Sequence, residues 1–194
     1  LKKHNFYTFF WWIYPLIDCF LDIHKKHLYQ KIQNLPPGKL LEVGVGTGKH
    51  LQKYHQHQVT AIDISEGMIF LAQKQNLPHV EFTIMDGTKT NFANECFDYI
   101  VLSHILAVVK NPNELLKEAF RVLKPNGKII ILNHFTPKNP LLIVDYLFQP
   151  FSKIFNFQSY FLLHKINTIS HQSIQYQQKI GRFKYYQILV VVKN

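Results

Sequence analysis

The sequence predicts a doubly wound, mostly parallel seven-stranded α/β sheet preceded by amphipathic N-terminal helices. Three observations carry this. Short apolar runs alternate with helix-spaced segments from residue 39 to residue 135, a glycine-rich turn follows the first of those runs, and two further strand-like runs close the chain. Runs that are apolar throughout, rather than alternating, belong to strands buried on both faces.

In chain order, residues 5–33 read as one or two helices bent near Pro15, where a backbone donor is missing, and ending before Pro36-Pro37-Gly38. Lys39 to Val43 is the first strand, and Lys49 to Tyr54 starts a helix after the glycine turn. Val59 to Ile64 is the second strand, Glu66 to Gln75 a helix and Val80 to Met85 the third strand. Phe97 to Ser103 is the fourth. Asn113 to Leu123 is helical, with Leu115, Leu116, Ala119, Phe120 and Leu123 spaced along one face. The turn Lys124-Pro125-Asn126-Gly127 leads into a fifth strand, Lys128 to Leu132. Leu141 to Leu163 reads as two short helices broken at Pro150, and Gln175 to Ile180 with Tyr185 to Val192 as an antiparallel pair.

A chain of 194 residues, 47% of them apolar, supports one domain with a full core. No charge-free apolar run reaches about 18 residues, so no spanning helix is expected. Cys19 and Cys96 are far apart and in no ligand spacing, which argues against a disulfide framework, a zinc ribbon or any resident metal, and for a cytosolic setting. Pro15, Asp18 and Asp22 interrupt the apolar stretch after Lys2 and Lys3, so that stretch is kept as part of the mature protein.

The formal charge of +10 is unevenly spread. Residues 1–40 and 136–194 carry all of the excess, while 41–135 hold nine basic and nine acidic residues. The flanks also hold the aromatic clusters, Phe6 to Tyr14 and Tyr146 to Phe161. Rings at headgroup depth beside lysines drawn to anionic lipid, at roughly 1 kcal/mol each, describe a membrane-surface segment. Nucleic acid is disfavoured, because Arg121 and Arg182 are the only arginines and bidentate recognition leans on that side chain.

Glu42-Val43-Gly44-Val45-Gly46-Thr47-Gly48 is the strongest local signal. Glycines there let a ligand approach the main chain. The dinucleotide pattern G-x-G-x-x-G would need a third glycine where Lys49 stands. Asp63, ending the second strand, is placed to accept both hydroxyls of a ribose, because Ser65 is the better cap for the following helix. Asp86, ending the third strand, is positioned for an exocyclic amine.

These residues resemble the Rossmann-like class I S-adenosylmethionine-dependent methyltransferases. The likeness rests on Leu41 to Gly48, Ala61-Ile62-Asp63-Ile64-Ser65 with Met68, Met85-Asp86-Gly87, Phe97-Asp98 and Leu123 to Gly127, and covers residues 39–135. It implies that Gly44, Gly46, Thr47 and Gly48 pass under the methionine part of S-adenosylmethionine and that Glu42 orients the loop. It further implies that Asp63 holds the ribose, with Ile64 beside it in the cofactor site, that Met68, Asp86 and Gly87 frame the adenine, and that Ser103 and His104 lie beside the sulfonium.

An aromatic, basic N-terminal segment and Leu132-Asn133-His134-Phe135 at the end of the fifth strand are similar to the soluble bacterial phosphatidylethanolamine N-methyltransferases. That likeness implies a phospholipid amine as acceptor, an anionic membrane surface as partner, a peripheral position on the inner face of the cytoplasmic membrane, and a monomer. Residues 1–35 then form a lid or membrane-binding segment and 36–194 the methyltransferase domain, with 138–172 as an aromatic helical insertion over the acceptor. Tyr14 and His134 are the candidate catalytic residues, and Lys138, Lys165, Arg182 and Lys184 are candidates for the lipid phosphate. The alternatives are a methyltransferase acting on a quinone or another small hydrophobic acceptor, a membrane-binding scaffold with a degenerate core, and a dinucleotide-dependent reductase.

Overall fold

A computed structural model describes residues 25–135, 168, 173–181 and 186–194. Helical residues 25–33 (α1) precede β1 (Lys39–Val43), a 3-10 turn (Lys49–Tyr54), β2 (Gln58–Asp63), α2 (Glu66–Gln73) and β3 (Val80–Ile84). Then come β4 (Phe97–Ser103), α3 (Pro112–Val122), β5 (Leu123–His134), β6 (Ser173–Ile180) and β7 (Tyr186–Val192). They form one seven-stranded sheet in the order β3-β2-β1-β4-β5-β7-β6. β7 runs antiparallel to both β5 and β6, and the other pairs are parallel. The chain winds outward from β1 to β3 on one side and from β4 on the other, so the crevice beyond β1 and β4 is the place where a ligand can enter.

Successive strand residues point to opposite faces, and both faces are buried. Leu41, Val43, Ile100, Leu102, Ile129 and Ile131 pack with Leu115, Leu116, Ala119 and Phe120 of α3. Leu40, Ala61, Val101, Ile130 and Leu132 pack on the other side with Leu28, Tyr29 and Ile32 of α1 and Ile69 and Ala72 of α2. This double burial explains the unbroken apolar runs.

Caps set the helix starts. Ser65 Oγ accepts from Met68 N at 3.4 Å, and Asn111 Oδ1 accepts from Asn113 N and Glu114 N at 3.2 and 3.4 Å, with Pro112 occupying the first turn, where its missing donor costs nothing. Several expected boundaries shift by one or two residues, and three differences bear on the site. Lys49 to Tyr54 is 3-10 rather than the start of an α-helix. The turn at Lys124 to Gly127 is absorbed into β5 as an irregularity, because Phe97 pairs with Leu123 and Tyr99 with Lys128, while Asn126 takes a left-handed φ of 61°. β5 also continues to His134, held by its pairing with β7. The helices expected before residue 25 and over 141–163 lie outside the described residues.

A polar clasp fastens the loop after β3 to α3. Glu118 accepts from Thr90 N at 2.8 Å and from Arg121 at 2.7 and 2.9 Å, and Arg121 reaches Asn94 Oδ1 at 2.7 Å. The Arg121 guanidinium above all, then the Thr90 donors, hold the Glu118 carboxyl at about 2 against burial. A carboxylate depressed in the folded state stabilises fully above its unfolded pKa near 4.5 and loses that contribution as pH falls toward 2. The stability gap between wild type and Glu118→Gln is therefore expected to narrow across that window in urea titrations at successive pH values.

Candidate functional site

The glycine turn leaves β1 with Gly44, Gly46 and Gly48 at φ 74°, 58° and 69°. A Cβ on Gly44 would stand 2.7 Å from Ile105 Cδ1, and one on Gly48 2.9 Å from the Ala72 Cβ. The turn is bound back to β2 through Gly44 N and Val45 N, which donate to Ile62 O at 2.8 and 3.1 Å. Thr47 is buried within it.

Asp63 stands across the turn at the end of β2. Its Oδ2 accepts from Gly46 N at 3.1 Å and its Oδ1 from Ser65 N at 2.9 Å. Burial raises the carboxyl above its usual value, and the N–H groups of Ser65, Gly46 and Ile64 oppose that rise. Each oxygen keeps lone-pair capacity for further donors. Beside it Ile64 is 40% exposed, an apolar side chain open to a flat ligand, and Met68 is buried behind the Ser65 cap. Asp86 is exposed just past β3, its Oδ1 accepting from Thr88 N and Oγ1 at 2.8 Å each. A side chain at Gly87 would collide with Val43 Cγ1.

On the β4–β5 side, Ser103 Oγ is buried with no partner among the described residues. His104 takes a left-handed φ of 57°, an uncommon conformation for a residue other than glycine, and its N–H donates to Leu132 O at 2.7 Å. Its ring meets Tyr186 edge-on, centroids 5.6 Å apart. Tyr186 lies opposite His134 in the β5–β7 register. Burial pushes the Tyr186 phenol up. Asn133 is fully buried and its Nδ2 donates to His134 O at 2.7 Å, while Phe135 joins the core.

The structure thus gathers Glu42, the glycine turn, Asp63, Ile64, Met68, Asp86, Gly87, Ser103, His104 and His134 at the carboxyl end of the parallel strands. Tyr14, Lys138, Lys165, Arg182 and Lys184 lie outside the described residues. Of the lysines counted in the basic N-terminal flank, Lys26 faces solvent, whereas Lys25 is only 6% exposed and does not add its charge to the surface. Sequence reasoning missed Tyr186, which needs the strand order, and His50, whose Nε2 pairs with Glu42 Oε1 at 2.9 Å. A buried acid demands a partner, and that demand on Glu42 was the available signal for His50.

These residues fit S-adenosylmethionine. Asp63 keeps acceptor capacity on both oxygens beside the turn, and the buried Glu42 Oε2 and Ser103 Oγ lack partners among the described residues. Among those residues no helix is long and apolar enough to cross a membrane, and no cluster of His, Cys, Asp and Glu suits a metal ion.

Residues 41–131 match the family described as methyltransferase domain. A phosphatidylethanolamine N-methyltransferase of Cereibacter sphaeroides is 34% identical over 140 residues, 69% of each chain. A ubiquinone/menaquinone biosynthesis C-methyltransferase of Rickettsia bellii is 31% identical over 143 residues, 67% of this chain and 57% of that relative. The crystal structure of an S-adenosylmethionine-dependent methyltransferase from Thermotoga maritima superposes with a TM-score of 0.79 over 98% of this chain and 99% of that one, at 18% identity, which speaks for the shared fold.

Proposed function

The chain belongs to the class I S-adenosylmethionine-dependent methyltransferases, and we propose that its acceptor is the amine of phosphatidylethanolamine and of its partly methylated forms, at an anionic membrane surface. The observation that carries this reading is the likeness to the Cereibacter sphaeroides enzyme over two thirds of both chains. Asn133-His134-Phe135 at the end of β5 and the basic, aromatic flanks support it.

When bound, S-adenosylmethionine supplies an electrophilic methyl on a sulfonium. In this reading Asp63 accepts from the ribose hydroxyls, Asp86 from the adenine amine, and Met68, Gly87 and Ile64 line the ring. The glycine turn carries the methionine end, with Glu42 orienting it and Ser103 and His104 beside the sulfonium. An ammonium headgroup must lose a proton before its lone pair can attack, and His134 accepts that proton with Tyr14 holding the amine. The chain's remaining work is alignment and exclusion of water, which needs no protein nucleophile. Tyr186 and the His104 ring form an aromatic wall that favours methylated ammonium by cation–π attraction.

Methyl-labelled S-adenosylmethionine incubated with vesicles of phosphatidylethanolamine, or of its mono- and dimethyl forms, tests the acceptor. Label is expected in the lipid. Its absence with cofactor binding intact would overturn the lipid reading and favour the quinone class, for which the Rickettsia bellii relative speaks. Neutralising Lys2, Lys3 and Lys26 is expected to reduce flotation with anionic vesicles most strongly at low salt, as screened surface charge requires. In this reading the protein sits peripherally on the cytoplasmic face of the membrane.

A further inference from the structure

Glu42 is 1% exposed, and a carboxylate so deep is costly unless paired. It only accepts, so His50 Nε2 carries the proton in the 2.9 Å contact between them. Glu42 lies two residues before Gly44 and His50 two residues after Gly48, so this single bond closes the glycine turn at its two ends.

His50 is itself held by aromatics. Its ring stacks on Tyr29 of α1, centroids 6.1 Å apart and 14° from parallel, and meets Tyr54 edge-on at 5.7 Å. Lys53 Nζ sits 4.1 Å from the centre of the Tyr29 ring. At the C-terminal end of α1, Gln56 Nε2 donates to Ile32 O and Leu35 O at 3.2 and 2.9 Å. The helix is thereby docked at several points on the segment that follows the turn, and of these the Tyr29–His50 stack runs on to Glu42. Glu42 Oε2 and His50 Nδ1 are buried without partners among the described residues, so polar capacity remains in the pair itself.

We infer that His50 is a positioning residue that holds the glycine turn closed through Glu42 and, through its stack on Tyr29, couples occupancy of the turn to the docking of α1. The inference rests on the cofactor reading of the turn and is independent of the acceptor. α1 lies within residues 1–35, the segment proposed above to meet the membrane. Linkage then makes the coupling reciprocal: whatever fixes α1 favours ligand at the turn, and ligand at the turn favours docked α1.

The test uses S-adenosylhomocysteine, the demethylated product, with two readouts: titrated affinity, and hydrogen exchange of the α1 amides with and without ligand. His50→Phe keeps a stacking ring and removes the donor; His50→Gln keeps an N–H donor. His50→Phe is expected to weaken binding at least about tenfold, the consequence of a buried carboxylate left without its donor, and His50→Gln to stay within about threefold of wild type. In wild type, ligand is expected to slow exchange in α1. Tyr29→Leu keeps the Glu42–His50 bond, so it should bind within about threefold of wild type yet lose that slowing, which decides the coupling should His50→Phe fail to fold. Equal binding by His50→Phe and wild type, equal weakening by both His50 variants, or α1 exchange indifferent to ligand in wild type would each overturn the inference. Failure of wild type to bind at all would overturn the cofactor reading as well.

Discussion

Asp63→Ala is expected to weaken binding of S-adenosylmethionine by about 30- to 160-fold, ~2–3 kcal/mol, because in the proposed reading it removes a carboxylate offering two charge-assisted acceptors to the ribose. The loss has a second source in this protein. The same oxygens accept from Gly46 N and Ser65 N, so the variant also releases the middle of the glycine turn and the entry to α2. Asp63→Asn keeps one acceptor oxygen and should fall between the two. Calorimetric titration checks the order. The pH dependence follows from the raised carboxyl: protonation turns an acceptor into a donor and competes with the ribose hydroxyls. Affinity is therefore expected to decline on acidification at a higher pH than an ordinary aspartate would impose, and that inflection should vanish in Asp63→Asn. An inflection unchanged in Asp63→Asn would assign it to another group.

Gly44→Ala is the second large effect. At φ 74° a residue with a Cβ costs ~1–2 kcal/mol, and here the methyl also meets Ile105 Cδ1 at 2.7 Å. The midpoint of thermal unfolding should drop by roughly 2–8 °C for a chain of this size. Cofactor affinity should fall at least about tenfold, since the Cβ disturbs a turn whose use depends on bare backbone. Ile105→Ala in the same chain separates the two causes. It removes the colliding methyl and leaves the left-handed φ, so it should restore part of the stability. Full restoration would mean that the collision alone carried the cost.

Much of this site is written in short-range pattern. The runs Lys39–Val43 and Phe97–Ser103 are apolar because both faces of the sheet are covered, and their bounds follow from that alone. The glycine turn and the Ser65 cap depend on backbone conformation within a few residues, and Asp63 follows from ending the strand beside them. The seven-stranded, mostly parallel sheet was legible for the same reason.

Other features rest on contacts between distant segments. β5 begins at Leu123 because Phe97 pairs there, and runs to His134 because β7 comes alongside; neither partner adjoins it in the chain. Tyr186 reaches the candidate acceptor side through that same pairing and the ring of His104. Lys25, which a charge count assigns to the surface, is taken inward by the packing of α1. His50 offers an imidazole like many others in a chain with eleven histidines, until a buried Glu42 and the face of Tyr29 fix where it points. Periodicity and turn chemistry thus determined the strands, the turn and its acid, since each acts over a few covalently linked residues. The partner of a buried charge and the ring beside a strand end were decided by packing, because a side chain's burial and neighbours are properties of the assembled sheet.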